Sequence, residues 1–365
     1  MTCNASSLAR CATALSLGLG LAGLAAAQTT APVVAAPYYS AEQAMQGVYT
    51  HHLPPLAREF QAQAERLVTT TAQHCQGQAP LPALRAQWQQ TLVSWEALST
   101  PAVGPLVARR SQRQIDFWPT RPELLRRSMD KAPATLADME RVGTPAKGFP
   151  ALELLINQWS ESRKPPPATA CRYAELVAEG IAAEARALHN ELGEWATREW
   201  EDEPEVTTAA LAEWVNQWLA GLERLRWAHI EKPITSHQTT GSAAKGAPVP
   251  FARLDRDSNL RDWRAQWQSL LAQGRLPAGA QPPAAGQALV PMEALLMGRG
   301  QLALAQQWGQ ALDQVSAGMG ALTPRASERE LLALTKSMKA VTVLFQKEVA
   351  AALDVPLGFS DADGD

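Results

Sequence analysis

Beyond residue 40, apolar residues recur three and four positions apart, and no stretch alternates apolar and polar residues long enough to read as a strand. Between 172 and 200 the stripe runs through Tyr173, Leu176, Val177, Ile181, Leu188, Leu192 and Trp195. Between 207 and 231 it runs through Leu211, Trp214, Trp218, Leu222, Leu225 and Trp227, and between 328 and 353 through Leu331, Leu334, Met338, Val341, Phe345 and Leu353. Each stripe is the buried face of one long helix. Ser327 and Glu330 have the spacing of a capping box at the start of the last one. Trp88 and Trp95, two turns apart, mark one face of an earlier helix. The pattern predicts an all-α fold.

Prolines and glycines divide these helices. The PPP at 165–167 separates a helix over 150–160 from the long one that follows. Residues 233–250 (PITSHQTTGSAAKGAPVP) read as an inter-domain linker, and 274–287 as a loop. The expected organisation is a first helical half over 40–232, the linker, and a second half over 251–365 that ends in an acidic tail. LRAQWQQTLVSWEAL (84–98) echoes RDWRAQWQSLLA (261–272), and GFPALELLI (148–156) echoes LVPMEALLM (289–297). Two bundle-like halves with approximate pseudo-symmetry account for the echo. So does coincidence between helices rich in Ala, Gln and Leu.

Composition adds three points. The 365 residues are 46% hydrophobic, enough for two domains of ordinary size. A net charge of −3 with no basic stripe argues against a nucleic-acid partner. Most of the 12 tryptophans fall in helical segments and read as core.

Residues 1–27 have the form of a secretory signal. Arg10 precedes a short apolar run that ends in Ala25-Ala26-Ala27, so cleavage is expected near Ala27, followed by a flexible 28–39. No second apolar run is long enough to span a membrane, and the expected location is the periplasm or cell envelope. Cys75 and Cys171 then remain, and an even pair in an exported chain suggests one disulfide. Two separate buried thiols are the alternative.

Three stretches carry candidate chemistry. KGFPALELL (147–155) places Gly148, Pro150 and Glu153 in a G-x-x-x-x-E frame. A helix start explains all three: proline suits the first turn, glycine permits a tight entry, and an early glutamate is favoured by the helix dipole. The functional alternative is that Glu153 borders a groove and accepts a hydrogen bond there. RQIDFWPTR (113–121) places Arg113 and Asp116 on one helix face, with Trp118-Pro119 ending the helix. This pair either holds an anion or belongs to a buried network that locks two helices. Glu96 lies beside the Trp88–Trp95 stripe and is expected to join them.

The histidines suggest no metal site. His51 and His52 are adjacent and diverge on a helix, while His74, His189, His229 and His237 are scattered. There is no HExxH, GxSxG or phosphate-binding loop. DADGD at 361–365 lacks the remaining spacing of a calcium loop.

Taken in order, WQQTLVSWEAL (88–98), Gly104-Pro105, RQIDFWPTR, KGFPALELL, CRYAELV (171–177) and the terminal GFSDADGD (358–365) resemble the imelysin-like proteins. The resemblance is to the branch described as predicted periplasmic lipoproteins, although no lipobox cysteine is visible here. It implies two helical bundles with a cleft between them and an envelope role linked to iron acquisition. The family's peptidase name implies proteolysis less firmly than the fold implies binding. The familiar motif is G-x-H-x-x-E, and here Pro150, which has no side-chain donor, replaces the histidine.

The expected site is therefore a polar groove formed by Glu96, Arg113, Asp116, Trp118, Gly148, Pro150 and Glu153. It would serve a non-enzymatic binding or accessory protein. A metal ion is the only cofactor in view, with none expected at Pro150. The partner is a small polar ligand or an envelope protein. A metal-dependent peptidase and a scaffold for an envelope partner are the alternatives.

Overall fold

The computed structural model describes residues 36–162, 164–240 and 247–358, and no strand occurs among them. The signal segment, residues 28–35, residues 241–246 of the expected linker and the DADGD tail lie outside the described residues. Tyr39, at the end of the stretch expected to be flexible, is buried, and its hydroxyl donates to the Pro283 carbonyl at 2.7 Å.

Two long helices, Leu53–Cys75 and Ala168–Ala196, run antiparallel. The Thr50 hydroxyl donates to the Ala196 carbonyl at one end, and the Cys75–Cys171 disulfide joins them at the other. The expected bridge is thus present, across 96 positions of sequence. Helices Leu81–Ser99 and Gly148–Glu161 complete this group. Phe60 packs on Trp95 with ring centroids 5.3 Å apart. The buried Trp88 indole donates to the Phe149 carbonyl at 3.1 Å, so its apolar body fills the core while its one donor is satisfied.

A second group comprises Pro204–Glu223, Arg256–Gly274, Leu302–Ala321 and Glu328–Leu344. Trp218 lies at its centre, stacked on Phe345 at 5.3 Å and tilted against Trp308 at 5.1 Å. The Ser327–Glu330 capping box is formed as expected. Leu81–Ser99 and Arg256–Gly274, the two echoing segments, pack together and run in the same direction. Gln89, midway along the first, donates to Ser258 near the start of the second, and Ser269 donates to the Ala97 carbonyl near the end of the first. The described residues fall in one compact unit.

The helix expected over 207–231 does not stop at the linker. Pro204–Glu223 passes into a π-helical stretch, Arg224–Glu231, and then into Lys232–Thr239. Proline lacks the N–H for an i→i−4 bond and its ring crowds the preceding turn. A wider π turn just before Pro233 relieves that crowding and lets the helical run continue.

Candidate functional site

Asp116 follows the five-residue helix Ser111–Ile115 and has already left helical geometry, at φ −141° and ψ 48°. The expected i,i+3 pair with Arg113 therefore does not form. Arg113 is exposed and makes no ion pair among the described residues. The turn directs the Asp116 carboxylate inward, and the cation that meets it comes from the edge of the second group. Arg253, buried, donates to Asp116 Oδ1 at 2.6 Å and Oδ2 at 2.8 Å, to Glu96 Oε1 at 2.9 Å, and through Nε to Asp262. Glu96 projects from Leu81–Ser99 and Asp262 from Arg256–Gly274, so one guanidinium links three chain segments. Its planar fork suits this task, because several carboxylate oxygens can be met at once with little rearrangement.

Three acids around one guanidinium cannot all carry charge cheaply in a water-poor seam. Burial pushes the Asp116 carboxyl up, but the charge and hydrogen bonds of Arg253 outweigh it and hold the group below its usual range. Burial, then the charges of Asp116 and Asp262, lift Glu96 well above its usual value. Asp262 is pushed up to about 6 by burial, against the pull of Arg253. Of the three acids, Asp116 is thus held most firmly as a carboxylate, while Glu96 and Asp262 are shifted toward their protonated forms.

Glu153 reaches this knot through Leu254, the residue that follows Arg253 in the chain. Its Oε1 accepts the backbone N–H of Leu254 at 2.9 Å, which steadies the segment that presents Arg253. Burial pushes its carboxyl up to about 8, against the pull of Arg253 and the Leu254 N–H. It borders a small cleft of about 50 Å³ shared with Arg85, Trp88, Asn157 and Asp255. Gly148 has φ +68°, and a β-carbon there would lie 1.9 Å from the Ile115 carbonyl oxygen. Only glycine allows the helix start to press against the backbone that carries Asp116. Pro150 is buried in the first turn. Trp118 is 40% exposed and lies outside the knot.

The residues unanticipated from sequence are Arg253, Asp262, Arg224 and His229. The π stretch carries the last two. Five-residue spacing brings side chains nearly into line in a π turn, whereas in an α-helix they would diverge. Arg224 donates to the Ser99 carbonyl and the Thr100 hydroxyl, and the His229 ring meets Gln266 at 3.1 Å. Burial, with the charges of Arg224 and Arg253, pushes His229 down to about 3, so its ring is neutral. The signal for Arg253 was electrostatic: buried acids on separate helices require a buried cation, and Arg253 opens the second half.

Among the described residues, no three His, Cys, Asp or Glu side chains are placed to hold a metal ion. The carboxylates that converge do so on a guanidinium, and Pro150 supplies no donor at the motif. The residues present therefore do not fit a bound metal at this seam.

The family model Peptidase_M75, Imelysin, matches residues 48–354. The chain belongs to the imelysin family. Its fold is shared with an imelysin-like protein from Psychrobacter arcticum 273-4, at TM-score 0.69 and 18% identity, covering 89% of this chain and 99% of that one. It is also shared with a protein from Parabacteroides distasonis ATCC 8503 named as an iron-regulated protein A precursor, at TM-score 0.63 and 14% identity, covering 86% and 93% of the two chains. No curated protein matches. Within this imelysin-family chain, no described helix is long and apolar enough to cross a membrane.

Proposed function

We propose that this imelysin-family chain is an exported binding or accessory protein of the cell envelope that serves iron acquisition by holding a small polar ligand beside Glu153. The observation that carries the reading is the saturation of Arg253 by Glu96, Asp116 and Asp262. Charges that satisfy one another shape a groove and leave Glu153 and Arg85 at its edge to meet a ligand. The iron link rests on the family and on the name of one structural neighbour. The N-terminal signal pattern supports export.

The test is calorimetry on the purified chain, titrated with iron held by carboxylate chelators and with the chelators alone. Micromolar association that weakens in Glu153→Gln supports the reading, and no association of the iron-loaded chelators overturns it. Chelator-sensitive cleavage of an unfolded protein, lost in Glu153→Gln, would replace it with a peptidase.

A further inference from the structure

Glu153 is only 7% exposed, and its two carboxyl oxygens differ. Oε1 takes the Leu254 N–H, whereas Oε2 has no hydrogen bond among the described residues. A polar atom this deep is costly to leave unmet, and the side chain lines the cleft of about 50 Å³. From Leu81–Ser99, Arg85 lines the same cleft, and its guanidinium makes no hydrogen bond or ion pair among the described residues. The other polar side chains of the lining are engaged. Asp255 accepts the N–H and the hydroxyl of Ser258, Asn157 donates to Glu161, and the Trp88 indole donates to Phe149. Glu153 and Arg85 are left to meet an occupant.

Arg85 sets the charge of that occupant. A cation is repelled by the guanidinium, and a neutral group leaves it without a counter-charge. Glu153 does not neutralise Arg85. Burial raises its carboxyl to about 8 against the pull of Arg253 and the Leu254 N–H, with Asp262 and Asp255 adding to the rise. An acid O–H and a guanidinium in one cleft are a donor set for an anion.

Size narrows the class. At roughly 10–15 Å³ for each water, the cleft has room for on the order of four waters, or one planar carboxylate head. A phosphate brings four oxygens and more than one charge to a cleft with one cation and one acid proton. Leu254, which also lines the cleft, is 58% exposed, so the cleft opens to solvent on that side.

We propose that the group recognised here is a carboxylate, one oxygen accepting from Oε2 of Glu153 and the other facing the Arg85 guanidinium. The inference rests on the reading of Glu153 as the ligand-facing group, and it gives that ligand a chemical class.

The test is a chemical-shift titration of the full chain, read at the indole N–H of Trp88, which borders the cleft. Acetate, acetamide and inorganic phosphate are the probes. Acetate is expected to give a saturable shift at pH 7, with acetamide and phosphate at least about tenfold weaker. Acetate affinity should fall about tenfold between pH 7 and pH 9, as Glu153 loses its proton through about 8. Glu153→Gln keeps an N–H donor weaker than the acid, so it should bind acetate more weakly at pH 7 and show no such fall. Arg85→Met should abolish the shift, and Arg85→Lys should retain part of it. Acetate that does not saturate, acetamide or phosphate that binds as well, or an affinity unchanged at pH 9 overturns the proposal. Iron-loaded chelators that associate regardless of Arg85 and of pH also overturn it, while leaving the iron reading intact. Acetate binding without association of those chelators supports it and removes the iron reading.

Discussion

Arg253 donates to both carboxylate oxygens of Asp116, at 2.6 and 2.8 Å, across 137 positions of sequence. With Glu96 and Asp262 on the same guanidinium, this contact ties the two groups of helices together. Its removal is the most informative single change.

Arg253→Met is expected to destabilise the chain by ~3–5 kcal/mol, because it strands buried acids without their cation. Chemical denaturation at pH 7 measures the loss. Repeated at pH 5, the loss should shrink, since the stranded acids can then take up protons. A variant as stable as the parent at pH 7 would mean that the ion cluster contributes nothing net.

Gly148→Ala tests the close approach to Ile115. The left-handed backbone alone costs a β-carbon about 1–3 kcal/mol, and the overlap with the Ile115 carbonyl adds to it. A lower melting temperature is expected, with weaker binding at the seam because the Asp116 segment must shift.

Glu153 should make stability depend on pH. Its folded value of about 8 lies above the ordinary glutamate value of 4.5, so between the two the folded state keeps a proton that the unfolded chain has released. The contribution is fully present below about pH 4.5 and is lost as pH rises through about 8. Gln carries no charge and still accepts from Leu254. Glu153→Gln should therefore match the parent near pH 4.5 and exceed it at pH 8. Parallel melting-temperature profiles for the two chains across this range would refute a protonated Glu153.

Reduction of Cys75–Cys171 frees the ends of the two longest helices. The chain-entropy model assigns a loop of this length roughly 4–5 kcal/mol. Chemical denaturation with and without reductant should show a loss of that order, with little change in helical content before the transition.

Gly180→Ala should stabilise the chain by about 0.5–1 kcal/mol, since alanine restores helix propensity and meets no neighbour. Thermal melting checks the sign. A destabilised variant would show that the open space beside Gly180 is filled in solution.

Much of the fold was legible in the residue pattern. The stripe ending in Leu188, Leu192 and Trp195 belongs to one helix, and the Ser327–Glu330 cap forms as its spacing implies. Burial on one helical face imposes a period that survives in any sequence. The site was legible only in part. The sequence marks Glu96, Asp116 and Glu153, but its spacing points to Arg113 as the cation, three residues from Asp116. That inference assumed a helix that in fact ends at Ile115. The linker expected over 233–250 was misjudged at its start for a similar reason: Pro233 reads as a break, and the π turn before it allows the run to continue.

By itself the sequence determined an all-helical chain, the identity of its buried faces and the two cysteines available to pair, because each follows from local spacing or simple counting. Only the tertiary structure decided that Arg253 is the cation at the seam and that Gly148 serves contact with Ile115. Ion pairs and close approaches have no period along the chain. They depend on which surfaces meet once the helices have packed.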